Sequence, residues 1–423
     1  MSPVRATARG ADRTTIAGRV DVLICGASFA GLAVAPELAR LPLARRPDVL
    51  VVDRYEIGER ATSACAAPTP WLEAMGVASA IRSELPYMSF TTPHGGARYR
   101  LPWSWSSFDY RELCLALWAQ CGTARFATAK VEGRGTLSAD PAPGGGVPSA
   151  FAVRRSVSAE EAPNGGATSA RSEEIVVRTD RGEIAAPLVV DALGWRRVLS
   201  DPHYQPPGAP LSRGLEVHPH VPESSRGDAL DCWVDRSLVR RGYAWRVPAA
   251  GEARIGVGSY DPRQHVKQGT IELADRLDAD AVRYQGNWFP HRLRPATQDG
   301  VFFAGDSAGH CLPLSGEGIR TAFAFGIAAG RELGAVLDGS KDRAQALAAY
   351  HARSAAQARL YARLGLLQRL VPALPPRLLA LLFKAVSPQP VVDRAFAWYL
   401  EQAHPRLAGA PPVADRRREP AAA

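Results

Sequence analysis

An α/β fold is predicted by three stretches of this 423-residue sequence. Val20 to Cys25 is an apolar run broken only by Asp21; Gly26-Ala-Ser-Phe-Ala-Gly31 follows, and Leu32 to Leu41 is helical in pattern. Val49-Leu-Val-Val-Asp53 is a second apolar run, ending in an acid 22 residues after Gly31. Near residue 300, the short run Val301 to Ala304 breaks at Gly305-Asp306 and passes Pro313. The pair Gly316 and Gly318 then opens a helical pattern from Ile319 to Leu337. Strand, glycine turn, helix, strand and acid together form the Rossmann-type dinucleotide fingerprint, in which a helix N-terminus meets the pyrophosphate and the acid meets ribose hydroxyls. The predicted architecture is a Rossmann-type domain with an interleaved antiparallel-sheet substrate domain and C-terminal helices.

Composition is globular: 46% apolar and 22% charged residues can bury a sizeable core. Net charge is +9, with 47 Arg against 4 Lys. The arginines are scattered and no nucleic-acid motif accompanies them, so nucleic acid is not an expected partner. The six cysteines show neither a Cys-x-x-Cys pair nor zinc spacing, which predicts a reduced, cytoplasmic protein without a metal site. No charge-free apolar run is long enough to span a bilayer, where about 18–20 residues are needed.

Taken in order, residues 1–17 read as a disordered basic leader, and Val20–Cys25 as a buried parallel strand. In the glycine turn Ser28 stands where the fingerprint has its middle glycine, so its hydroxyl would bond a phosphate. Pro36 interrupts the following helix. After Asp53 comes a small-residue loop containing Cys65, then a helix predicted over residues 69–83. Residues 87–110 are aromatic-rich (Trp103, Trp105, Phe108, Tyr110) and suit either a core cover or an apolar ligand wall. A helix is expected from Arg111 to about Cys121. Residues 135–172 read as a low-complexity insertion with one short strand over 151–157. Strands resume at 174–178, turn at Asp180-Arg-Gly182, and continue through Pro187 to Gly194. Alternation over 211–260 predicts an antiparallel sheet, on which His218 and His220 face one way; no further ligand accompanies them, so a solvated face is expected rather than a metal. A helix over 270–284 precedes Trp288 to Arg294. Helices are expected over 343–370, 376–386 and 391–402, followed by a disordered tail over 405–423. The dinucleotide domain is accordingly assigned to 18–60, 105–200 and 296–342, the substrate domain to 61–104 and 205–295, and a helical region to 343–404.

There is one glycine fingerprint, completed far downstream by Gly305-Asp306. That suits a tightly held FAD better than exchangeable NAD, and an external donor such as NADPH would have no Rossmann domain of its own. Gly26 to Gly31, Asp191-Ala-Leu-Gly194 and Gly305-Asp306 resemble the glutathione-reductase-like FAD superfamily, in the branch containing aromatic hydroxylases. Tyr243-Ala-Trp-Arg-Val-Pro248 resembles the Tyr-x-Trp-x-Phe-Pro box of geranylgeranyl reductases. The segment from Gly305 through Pro313 to Gly316-Glu-Gly-Ile319 is similar to their FAD-closing segment. The resemblance implies that Gly26, Ser28 and Gly31 hold the pyrophosphate and Asp53 the adenosine ribose. It places Arg111 by the cofactor, Gly305 and Asp306 at the ribityl chain, and Gly316, Glu317, Gly318 and Ile319 near N1 and O2 of the flavin, where a helix N-terminus favours the anionic reduced ring. Cys65, Tyr243, Trp245 and Pro313 would face the substrate; the glycines that flank the family's cysteine are alanines here. The similar flavin halogenases need an early lysine, and the first lysine here is Lys130. The activity implied is reduction of C=C bonds in a prenyl chain by hydride from flavin N5. A monooxygenase working through the flavin C4a-hydroperoxide on a hydrophobic substrate is the alternative. The strongly apolar 378–384 stretch, flanked by basic residues, is expected to pack on the cofactor domain or to touch a membrane surface peripherally.

Overall fold

The computed structural model describes residues 15–42, 44, 46–61, 63–135, 174–200, 210–222 and 227–408. The predicted leader (to residue 14), residues 136–172 of the insertion with its 151–157 strand, and the tail from 409 lie outside the described residues.

Among the described residues, three sheets organise the chain. A six-stranded sheet joins Val22–Cys25, Val49–Asp53, Arg125–Thr128, Leu188–Asp191 and Val301–Phe303 in parallel, with Thr297–Gln298 added antiparallel at one edge. Its central strands are continuous apolar runs because helices cover both faces. Gly31–Ala39 and the long Ile319–Leu337 helix cross each other against this sheet. They approach closely because Gly326 and Gly330 lack side chains: a Cβ there would stand 2.4 Å from the Ala30 carbonyl oxygen and 2.7 Å from that of Val34. A four-stranded sheet (Gly18–Arg19, Gly182–Ala186, Ile175–Thr179, Val131–Arg134) flanks the first.

The third sheet has eight strands, in the order Gln285–Pro290, Leu211–Val217, Ala253–Ser259, Gly242–Pro248, Ala229–Trp233, Ile81–Thr92, Gly95–Phe108 and Ala66–Pro68. Most of the aromatic 87–110 stretch lies in one long hairpin of this sheet, Ile81–Thr92 with Gly95–Phe108, while Tyr110 begins the next helix. Residues predicted as helix over 69–83 form helix only over Thr69–Ala74; from Ile81 onward the chain pairs with Gly95–Phe108. The helix predicted over 270–284 is Lys267–Arg276, and it stops just before Asp278, which takes a positive φ. His218 and His220 lie beyond the end of their strand, and the His218 ring contacts the Glu216 carboxylate at 2.9 Å. The Gly95–Phe108 strand runs across the predicted domain boundary at 104/105.

Among the described residues the C-terminal α-helices are four: Arg343–Ala355, Ala358–Leu370, Pro376–Ala385 and Gln389–Glu401. The last two lie against the 81–108 hairpin: Phe383 and Phe396 carbonyl oxygens accept from Tyr99 and Trp103.

Candidate active site

A single cavity of about 1530 Å³ runs from the glycine turn of the six-stranded sheet to the face of the eight-stranded sheet and out under the C-terminal helices. Eleven of the fifteen site residues expected from sequence line it: Ser28, Asp53, Tyr243, Trp245, Pro313, Gly305, Asp306 and the run Gly316 to Ile319. The other four are Gly26, Gly31, Cys65 and Arg111.

At its polar end, Gly26 and Gly31 are buried behind the turn. A Cβ on Gly31 would sit 1.9 Å from the Gly26 carbonyl oxygen, so glycine alone lets the helix start this close to the strand. The helix carries no side-chain N-cap, leaving its start for a ligand. Ser28 accepts a 3.0 Å hydrogen bond from the Tyr110 hydroxyl. Asp53 accepts from the backbone N–H groups of Ala27 (2.8 Å) and Tyr55 (3.0 Å), one on each oxygen, and lines the cavity. Burial pushes its carboxyl up from the ordinary value, against those two hydrogen bonds.

Asp306 sits in a short helical turn that begins at Gly305 (φ +63°) and closes at Gly309 (φ +71°). Its carboxylate lines the cavity and accepts no hydrogen bond from the described residues; burial pushes it up to about 6, with Arg294 opposing. The turn is locked in place by the buried Asp191, which accepts from the Ser307 hydroxyl (2.7 Å) and from the N–H groups of Leu193 and Leu199. An acidic acceptor without a protein donor, an uncapped helix start and a second acid lining the cavity fit a dinucleotide bearing hydroxyls and a pyrophosphate. FAD would be held by Ser28 and the Gly31 helix start, Asp53 and Asp306.

The loop from Pro313 to Glu317 separates this end from the apolar chamber, and Leu314 takes a left-handed φ of +70° in it. Three tyrosines and a glutamine hold that conformation. Tyr243 donates to the Ser315 carbonyl, Tyr260 to the Leu314 carbonyl, and Tyr399 to the Glu317 carboxylate at 2.8 Å. The Gln368 carbonyl accepts from Leu314 N–H. Glu317 also forms a buried, doubly hydrogen-bonded ion pair with Arg320, at 3.0 Å to each carboxylate oxygen. Its carboxylate is thus engaged by protein, so its part in a cofactor site is to fix the loop.

The chamber itself is aromatic: Tyr243 and Trp245 (5.8 Å between rings) face Trp105, Phe90 and Phe396 across the sheet. Trp245 lies flat because Gly256 is beneath it; a Cβ there would stand 2.4 Å from the indole. Its N–H donates to the buried Glu216 carboxylate at 3.1 Å, which also accepts from Gln285 (3.1 Å). No sequence motif marks Glu216 or Gly256. They come from neighbouring strands whose register alone brings them to Trp245.

Two expected residues stand elsewhere. Cys65 is buried outside the cavity, its thiol donating to the Ser63 carbonyl at 3.0 Å, and burial pushes the thiol up to about 12. A protonated thiol turned away from the chamber is structural; its backbone carbonyl anchors Arg254. Arg111 is exposed in the first turn of Tyr110–Trp118, packed against Gly58, and does not line the cavity. Among the described residues no group of three or more His, Cys, Asp or Glu side chains could hold a metal ion.

The architecture is that of the FAD-dependent oxidoreductases. It is similar to a geranylgeranyl bacteriochlorophyll reductase-like protein of Thermoplasma acidophilum, with a TM-score of 0.72 at 15% identity over 93% of this chain and 98% of that one. It is also similar to a probable FAD-dependent monooxygenase of Pseudomonas aeruginosa, PqsL, with a TM-score of 0.59 at 16% identity over 91% and 100% of the two chains. In sequence, 88 residues are 33% identical to the chloroplastic geranylgeranyl diphosphate reductase of Nicotiana tabacum; this match spans 19% of the chain and 18% of that protein. No family model matches the chain.

Proposed function

We propose that this protein is an FAD-dependent reductase that saturates C=C bonds in a prenyl chain. The observation that carries the reading is the single cavity joining a dinucleotide end to an aromatic chamber. Its volume, about 1530 Å³, exceeds the roughly 300–1,000 Å³ of a single small-ligand site, leaving room for an extended cofactor and a long apolar chain end to end.

FAD reduced by an external donor such as NADPH would supply hydride to one alkene carbon. An unactivated alkene accepts hydride poorly, so the protein must contribute through positioning and exclusion of water. Tyr243 and Trp245 serve that purpose: their polar atoms are committed to Ser315 and Glu216, and their rings are presented to the chamber. The helix start at Gly318 presents its positive end toward the cavity, where negative charge is favoured on a reduced ring. The second alkene carbon needs a proton. Solvent or a nearby acid would supply it.

The test is turnover of prenyl lipids, quinones and diphosphates with NADPH or dithionite, followed by mass spectrometry. A gain of two hydrogens per double bond supports the reductase. Inertness toward every prenyl substrate with FAD bound would sink it, and substrate-dependent oxygen uptake with a gain of one oxygen atom would assign a monooxygenase instead.

A further inference from the structure

Among the described residues, nine of the twelve large apolar side chains that are exposed fall between Leu366 and Trp398. They occupy the outer faces of three helices. On Ala358–Leu370, Arg359, Arg363, Leu366 and Leu370 follow one another at helical spacing, forming a stripe basic at one end and apolar at the other. On Pro376–Ala385, Leu378 and Leu381 are 43% and 64% exposed, and Arg377 and Lys384 stand one turn to either side of Leu381. Trp398, half exposed, projects from Gln389–Glu401.

The charge on this face is one-sided. From residue 343 to 400 the chain carries eight Arg and Lys but a single acid, Asp393, which accepts from Gln389. The exposed Arg359, Arg363, Arg369, Arg377, Lys384 and Arg394 have no ion-pair partner among the described residues. The face is also continuous with the cavity: Leu367 and Trp398 are at once exposed and part of its lining, with Val371 and Phe383 behind them.

We infer that these three helices form a collar that docks on an anionic lipid bilayer, setting the mouth of the cavity against the membrane so that an apolar chain passes into the chamber without crossing water. Exposed leucines and a tryptophan would enter the headgroup–acyl boundary, while the unpaired cations meet anionic headgroups. No helix of the described residues is long and apolar enough to cross a membrane, so contact would be with one leaflet. The inference extends the reductase reading by giving its substrate a route. Docking needs no turnover, however, so the two can fail separately.

The holoprotein would be floated with vesicles of phosphatidylcholine alone and of phosphatidylcholine containing phosphatidylglycerol. The anionic vesicles should bind more than about tenfold tighter, an advantage lost in high salt. The double variant Leu378→Glu with Leu381→Glu changes two residues outside the cavity lining. It should keep its FAD and melting temperature yet lose at least about tenfold in vesicle binding. Failure of the parent protein to float with either vesicle, or flotation of the double variant equal to the parent's, would overturn the inference. So would a variant that converts a concentration-dependent dimer to monomer with flotation unchanged, since the face would then belong to a second copy of the chain.

Discussion

At the Asp53–Asp306 end, the cavity is walled by three short motifs that each fold locally: a glycine turn, a strand end and a strand-to-helix turn. At the Trp245 end, the wall comes from an antiparallel sheet, a long hairpin and C-terminal helices that lie far apart in the chain. The first kind of wall uses backbone and acids to meet a polar ligand of fixed shape. The second uses rings and a glycine floor to exclude water around a ligand with few features. Substitutions at the two ends should therefore separate cofactor retention from substrate handling, and the loop between them should affect both.

The largest effect is expected in that loop. Glu317→Ala leaves Arg320, which is fully buried, without its carboxylate and leaves Tyr399 only its Ser315 partner. Stripping one partner from a buried ion pair costs about 3–5 kcal/mol. Chemical denaturation should show that loss, and Arg320→Met in the same chain should recover part of it.

Next, Asp306→Asn should weaken FAD binding by roughly 10- to 100-fold, the range for a hydrogen bond to a charged group. Burial raises the free protein's Asp306 carboxyl from its ordinary 3.8 to about 6. The ionised form that accepts hydroxyl donors is therefore lost as pH falls through about 6, while the burial cost of that charge, present above about 6, is relieved over the same fall. FAD titrations of the apoprotein should show affinity dropping below pH ~6 and the Asn variant losing that dependence. A pH-independent wild type would contradict the assignment.

At the chamber end, Gly256→Ala places a methyl group against the Trp245 indole and should displace the ring. Retained FAD with prenyl turnover reduced by up to about 100-fold, the cost of misplacing a reacting group by roughly 1 Å, would mark the residue as a substrate-side element. Loss of FAD instead would erase the distinction between the two ends. The smallest effect is expected from Cys65→Ala, about 1 kcal/mol of stability with turnover unchanged, because the thiol faces Ser63 and not the chamber.

The same division governs what could be read from sequence. Asp53, Asp306 and the glycines were legible because each sits in a motif whose spacing carries its own geometry. Tyr243 and Trp245 were legible through a resemblance, but Gly256 and Glu216, which set the Trp245 ring, were not, since strand register is written across distant segments. The helix expected over 69–83 overruns the observed Thr69–Ala74, since from Ile81 onward pairing with Gly95–Phe108 overrides local preference. Cys65 shows the converse: its position in the sequence points to the substrate, but its positive φ and its Ser63 hydrogen bond turn the thiol elsewhere.

The central claim, that the two ends work as one reductase, is tested most directly by anaerobic rapid mixing of reduced holoprotein with a prenyl substrate while flavin absorbance is followed. The account predicts that the alkene alone restores the oxidised flavin spectrum, and that Gly256→Ala slows this step without releasing FAD. A reduced flavin that stays bleached until oxygen is admitted would contradict it.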